Sequence, residues 1–177
     1  MISKVLIATD GSANAGKAVE IGCDLAAKYG AEVVLLHILL RGEISENLRH
    51  MAEIEFAKAE GGQALAKAIS TVPAGRFPAS IDFGKNPNQG LGELLRAWGK
   101  QILEAAKSEA YGHGFAKVET RIEDGDPAKR ILQVAEEAKA DLIVLGARGL
   151  SDLKALLVGS VSHKVSHLAP VTCITVR

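Results

Sequence analysis

The sequence predicts an α/β protein with an open five-stranded parallel sheet flanked by helices on both faces. Three observations carry this expectation. Short, continuous apolar runs at 5–8, 33–38 and 141–145 read as strands buried on both faces. The stretches between and after them repeat apolar or small residues every three or four positions, as an amphipathic helix does. A strand, a helix and a strand in succession form a right-handed crossover, which makes neighbouring strands parallel.

The first run closes on Thr9-Asp10-Gly11-Ser12, a turn in which Ser12 reads as a helix N-cap. Ala15, Ala18, Val19, Gly22, Leu25, Ala26 and Tyr29 then mark one helical face, and Gly30 stands where a left-handed C-terminal residue belongs. Residues 31–40 supply the second strand. Ile44, Leu48 and Met51 suggest a helix from about Glu43 toward Thr71, weakened by Gly61-Gly62. Residues 73–90 hold three of the five prolines, with Phe77 and Phe83, and read as a long loop inserted in a single domain that spans 1–177. Leu91, Leu94, Leu95, Trp98, Ile102, Ala105 and Ala106 restore a helical stripe up to about Gly112. Residues 115–122 alternate like a strand with one exposed face, placed at an edge. Asp126-Pro127 opens the next helix, with Pro in its first turn. After the strand at 141–145, Val161, Val165 and Leu168 mark a short helix that Pro170 ends, and 171–176 closes the chain as a last strand.

Composition narrows the function classes. Lys plus Arg and Asp plus Glu number 21 each, so the chain is neutral and lacks the basic footprint of a nucleic-acid or membrane-surface binder. Two cysteines in 177 residues, Cys23 and Cys173, do not make a disulfide scaffold. With no signal-like leader and no apolar run of 18 residues, the expectation is a cytoplasmic protein.

The segment 146–160 reads GARGLSDLKALLVGS. Gly146 and Gly149 follow directly on the carboxyl end of a buried strand, where open parallel sheets bind ligands. Gly159 and Ser160 begin the last helix, where backbone N–H groups and the helix dipole favour an anion. Small residues let a phosphate reach that backbone. The chain has no G-x-x-x-x-G-K-[ST] and no strand-linked G-x-G-x-x-G, which excludes a Walker-type NTPase and a dinucleotide-dependent dehydrogenase.

The G-x2-G-x9-G-[ST] spacing in this context resembles the ATP-binding subset of the universal stress protein family. Asp10-Gly11-Ser12, His37-Ile38, Gly125-Asp126-Pro127 and the closing APVTCITV match as well. The resemblance implies a Rossmann-like three-layer sandwich of the adenine nucleotide α-hydrolase type. It implies that Asp10, beside Ser12, and the Ile38 backbone hold the adenine and ribose end, with Leu145 and Gly146 on the ribose side. Gly149, Gly159, Ser160, Val161 and Ser162 would wrap the phosphates, and Arg148 could pair with one. The implied ligand is ATP, or AMP or ADP, with Mg²⁺ carried by the phosphates. The implied assembly is a homodimer through the strand at 171–176, with a protein partner still to be identified and a role in stress response or signalling.

Other readings stay open. No activated nucleophile is visible, so a dedicated enzyme is not expected, although slow hydrolysis or self-phosphorylation is compatible with the site. An adenylate-forming enzyme of the same fold is one alternative, and it lacks an SGGxDS-like loop after the first strand. A nucleotide-independent interaction module using 73–90 is another. His37, inside an apolar strand, reads as a satisfied buried imidazole, and His163 and His167 as an exposed helix face.

Overall fold

A computed structural model describes residues 1–39, 43–44, 75–76, 87–149 and 159–177. The chain runs through strand β1 (Lys4–Ala8), helix α1 (Ala13–Tyr29), strands β2 (Glu32–Leu39), β3 (Glu43–Ile44) and β4 (Gly75–Arg76), and helix α2 (Pro87–Gly112). It continues through β5 (Glu119–Asp124), α3 (Pro127–Ala138), β6 (Leu142–Gly146), α4 (Ser160–Leu168) and β7 (Thr172–Val176). Five strands form one all-parallel sheet in the order β5-β2-β1-β6-β7. This is the expected α/β architecture.

The apolar strands bury alternate residues on opposite faces. Val5, Ile7, Val33, Leu35, Leu142 and Val144 face α1 and α2, which contribute Ala18, Cys23, Leu103 and Ala110 among others. Leu6, Val34, Leu36, Ile143 and Leu145 face α3 and α4, meeting Ile131, Val134, Ala135 and Val165. At about 1.5–3 kcal/mol for each large aliphatic side chain buried, these two layers dominate the favourable side of folding. The helix α1 lies so close to β1 that a Cβ on Gly22 would stand 2.7 Å from Ile7 Cδ1. Only a residue without a side chain lets the two elements approach this far.

The caps follow the local chemistry. Ser12 Oγ accepts the Ala15 N–H at 3.3 Å, and Gly30 closes α1 at φ 63°, a left-handed conformation that suits glycine. Asp126 Oδ1 accepts the Lys129 N–H at 2.9 Å, with Pro127 at the start of α3.

Several expectations need correction. Glu43–Ile44 is not the start of a helix but a two-residue strand paired antiparallel with Gly75–Arg76. The remainder of the proposed helix toward Thr71 lies outside the described residues. The loop expected over 73–90 instead contains that strand and the first turn of α2, which begins at Pro87. Phe77 and Phe83 lie outside the described residues. The strand expected at 115–122 is shifted to Glu119–Asp124, because the Phe115 N–H is still bonded to Ala110 O at the end of α2 and Gly114 turns the chain at φ 89°. Phe115 and Val118 pack on the core from this lead-in. Tyr29 and Leu168, expected on buried helix faces, are exposed, whereas Ser162 is buried in α4.

Candidate functional site

The order of the sheet creates a switch point. From β1 the chain builds outward to β2 and β5, then crosses to β6 and β7 on the other side of β1. Crossovers that leave a parallel sheet in opposite directions open a crevice at the carboxyl ends of the two central strands. Ala8 lies in register with Leu36 on one side and Leu145 on the other, and these residues floor a cleft at that point. Ile38, Pro127 and Ile131 add an apolar wall.

Ten of the eleven residues singled out from sequence line this cleft: Asp10, Ile38, Leu145, Gly146, Arg148, Gly149, Gly159, Ser160, Val161 and Ser162. Ser12 does not. Its hydroxyl caps α1, so it shapes the entry to that helix. The α3 contributions, Pro127 and Ile131, were missed. The signal for them lay in the helix that Asp126-Pro127 opens, since a crossover helix covers the strand end that precedes it.

The polar groups are held by short local bonds. Asp10 Oδ1 accepts the Ser12 N–H at 3.0 Å, and its Oδ2 lies so close to Gly149 that a Cβ there would overlap it. A side chain at 149 would therefore have to displace this carboxylate. Gly146 meets a different constraint: a Cβ would stand 3.0 Å from the Ala15 N and the Arg148 O. Its lack of a side chain admits the backbone at the start of α1 rather than a ligand.

Ala147 is the pivot of the second half. Its N–H donates to Val176 O at 2.6 Å, and its carbonyl accepts the Gly159 N–H at 2.7 Å and the Ser162 hydroxyl at 2.6 Å. The Gly159 N–H and the Ser162 hydroxyl are therefore engaged within the protein. Gly159 adopts φ −72°, which any residue can take, and gives α4 no side-chain cap. The His163 N–H returns to Gly159 O at 3.0 Å. Helix geometry leaves the N–H groups of Ser160, Val161 and Ser162 without intrahelical acceptors, at the positive end of the dipole and on the rim of the cleft.

His37 departs from its expected role. It is 1% exposed, and its Nδ1–H donates to Thr9 O at 2.9 Å, leaving a neutral Nε2 with no hydrogen-bond partner among the described residues. The imidazole is therefore only half satisfied. Its ring meets Trp98 edge-on at 5.7 Å and packs against Gly99. Burial lowers its pKa from the ordinary histidine value, more than the Thr9 carbonyl and the nearby Asp10 charge raise it. No cluster of three or more His, Cys, Asp or Glu that could hold a metal occurs among the described residues.

An open parallel sheet with a helix N-terminus and a glycine-edged crevice at its switch point defines a three-layer α/β protein of the doubly wound class. The model of the universal stress protein family matches residues 1–177, and the chain belongs to that family. It is 33% identical to universal stress protein YxiE of Bacillus subtilis, with both chains covered completely. Among solved structures it is similar to UspA from Lactobacillus plantarum, with a TM-score of 0.68 and 21% identity over 99% of this chain and 98% of that one. A universal stress protein solved in complex with cAMP matches with a TM-score of 0.57 and 22% identity, over 99% and 97% of the two chains.

Proposed function

We propose that the cleft binds an adenine nucleotide, with ATP as the fullest ligand, and that occupancy of the site alters what the surface around residues 147–158 presents in a stress or signalling role. The observation that carries this reading is the first turn of α4, whose N–H groups lack intrahelical acceptors and whose residues line the crevice together with Asp10. Phosphates would lie on Ser160, Val161 and Ser162 through their backbone, with Arg148 beside them. The apolar wall of Ile38, Pro127 and Ile131 suits a purine and the floor of Leu145 and Gly146 a ribose, while Asp10 can accept from the sugar hydroxyls. The cAMP bound by a protein of the same fold supports the choice of an adenine nucleotide. Mg²⁺ would be carried by phosphate oxygens and water, as Asp10, the one carboxylate among the described residues that line the cleft, does not by itself form a protein metal site. A few charge-assisted hydrogen bonds, at about 1.5–3 kcal/mol each before ordering costs, are enough for micromolar affinity. The same reading makes the outer edge of β7 the contact of a homodimer.

Equilibrium titration with ATP tests the site. Asp10→Ala and Gly159→Val are each expected to weaken binding by about tenfold or more. Unchanged affinity in both variants would overturn the assignment.

A further inference from the structure

The face of α4 turned away from the sheet carries a feature that nucleotide binding does not use. Ser162 and Val165 are buried on one side of the helix, whereas His163 and His167, four residues apart, are both exposed on the other. Their rings lie nearly parallel, 10° between planes, with centroids 6.4 Å apart. A late first-row metal ion binds imidazole nitrogen at about 2.1 Å, which puts it about 3.3 Å from the ring centroid. Two rings sharing one ion in adjacent coordination positions would then have centroids roughly 5 Å apart and planes that meet at the ion, so the stacked pair must both close by about 1–2 Å and turn its rings toward a common point. Rotation of two solvent-exposed side chains supplies that without disturbing the packed face of the helix.

We propose that His163 and His167 form a two-imidazole chelate for a borderline divalent transition-metal ion, on the outside of α4, with water completing the coordination. The donor set selects the ion. Two neutral nitrogens with no carboxylate suit Cu²⁺, then Ni²⁺ and Zn²⁺, and do not suit Mg²⁺ or Ca²⁺, which take oxygen ligands. The site is therefore chemically separate from the Mg²⁺ that would accompany a nucleotide, and it stands whether or not the cleft binds ATP.

Two other features serve as internal comparisons. Cys173 Sγ lies 3.7 Å from Ser166 Oγ, and burial raises the pKa of its thiol, so it is not a ready thiolate ligand. His113, the other described surface histidine, stands four residues after Glu109 with Nε2 3.4 Å from its carboxylate. That pair offers one nitrogen and one oxygen rather than two nitrogens.

Titration of the full-length, nucleotide-free protein with Cu²⁺ at pH 7.5 in a non-coordinating buffer tests the proposal, with electron paramagnetic resonance reporting the number of nitrogen ligands. One tight equivalent with two nitrogens is expected. His163→Gln and His167→Gln are each expected to weaken that equivalent roughly tenfold or more, since either leaves a single imidazole. His113→Gln, His50→Gln and Cys173→Ser should bind as wild type does, and Mg²⁺ should not compete. Far-UV circular dichroism confirms that the variants are folded. Copper binding unchanged in either His163→Gln or His167→Gln, or a site lost with His113→Gln, His50→Gln or Cys173→Ser, would overturn the proposal.

Discussion

The two ends of the central sheet handle their polar groups in opposite ways. At the amino end Asp141 Oδ2 accepts from the Ser3 N–H at 2.7 Å, the Ser3 hydroxyl at 2.6 Å and the Lys4 N–H at 3.1 Å, while the Asp141 N–H donates to Lys4 O. The Glu32 N–H reaches Ser3 O, and Lys4 Nζ pairs with Glu32 at 2.9 Å. These groups satisfy one another. At the carboxyl end, Asp10 and the first turn of α4 line one cleft, and the N–H groups of that turn have no intrahelical acceptors. One end closes on its own groups, and the other, on the reading proposed above, would be completed by a ligand. Substitutions at the amino end should therefore be read in stability, and those at the carboxyl end in affinity.

The sharpest way to break this division is Gly149→Val. The new side chain would displace the Asp10 carboxylate and narrow the cleft that both residues line, so ATP affinity is expected to fall by about 100-fold, an effect of about 2.7 kcal/mol. Calorimetric titration checks it, and a loss smaller than that of Asp10→Ala would contradict the closeness of these two residues.

Acid separates the two ends next. Burial holds the folded His37 imidazole neutral below its ordinary range, so the unfolded chain takes up a proton first as the pH falls below about 6.5. Stability should decline from there, by at most about 1.4 kcal/mol per pH unit for one proton. Denaturant unfolding between pH 7.5 and 5 is expected to show that slope, and His37→Met should flatten it. The Asp141 carboxyl loses stability in the same direction but in a lower pH window. Hydrogen bonds from the Ser3 hydroxyl, the Ser3 N–H and the Lys4 N–H lower its pKa from 3.8, so its contribution is complete above that value and is lost as the pH falls further.

Asp141→Asn should accordingly lower the Tm at pH 7 by a modest amount, with ATP affinity unchanged. Melting and titration on one sample check both halves of that statement. The smallest effect belongs to Glu32→Gln. Its exposed pair with Lys4 contributes within about 0.5 kcal/mol, and that contribution should fade in high salt.

The same contrast separates what was legible in the sequence from what was not. Helix caps are decided within four residues, so Ser12, Gly30 and Asp126-Pro127 announced themselves. Strands buried on both faces need only an apolar run, so β1, β2 and β6 did too. The strand pair at Glu43–Ile44 and Gly75–Arg76 joins residues some 30 positions apart and leaves no periodic trace in two residues. The start of α2 was hidden because Pro87 and Gly90 carry loop signals, although proline is favoured in a first turn, as at Pro127.

Within the site, the glycine spacing located the cleft but not the reason for each glycine. Gly149 answers to Asp10, 139 positions earlier, and Gly146 to the backbone of α1. Such long-range contacts are invisible until the chain is folded. The unpartnered Nε2 of His37 is of the same kind, since its surroundings come from α2 as well as β1.

Ala147 gives the carboxyl end a further property. With the Gly159 N–H and the Ser162 hydroxyl both bound to its carbonyl, and its own N–H bound to the last strand, the backbone on either side of 150–158 is pinned like the two sides of a buckle. The Ala147 carbonyl thus ties the end of β6 to the start of α4, so a change that draws the backbone at 147 aside would carry the first turn of α4 with it.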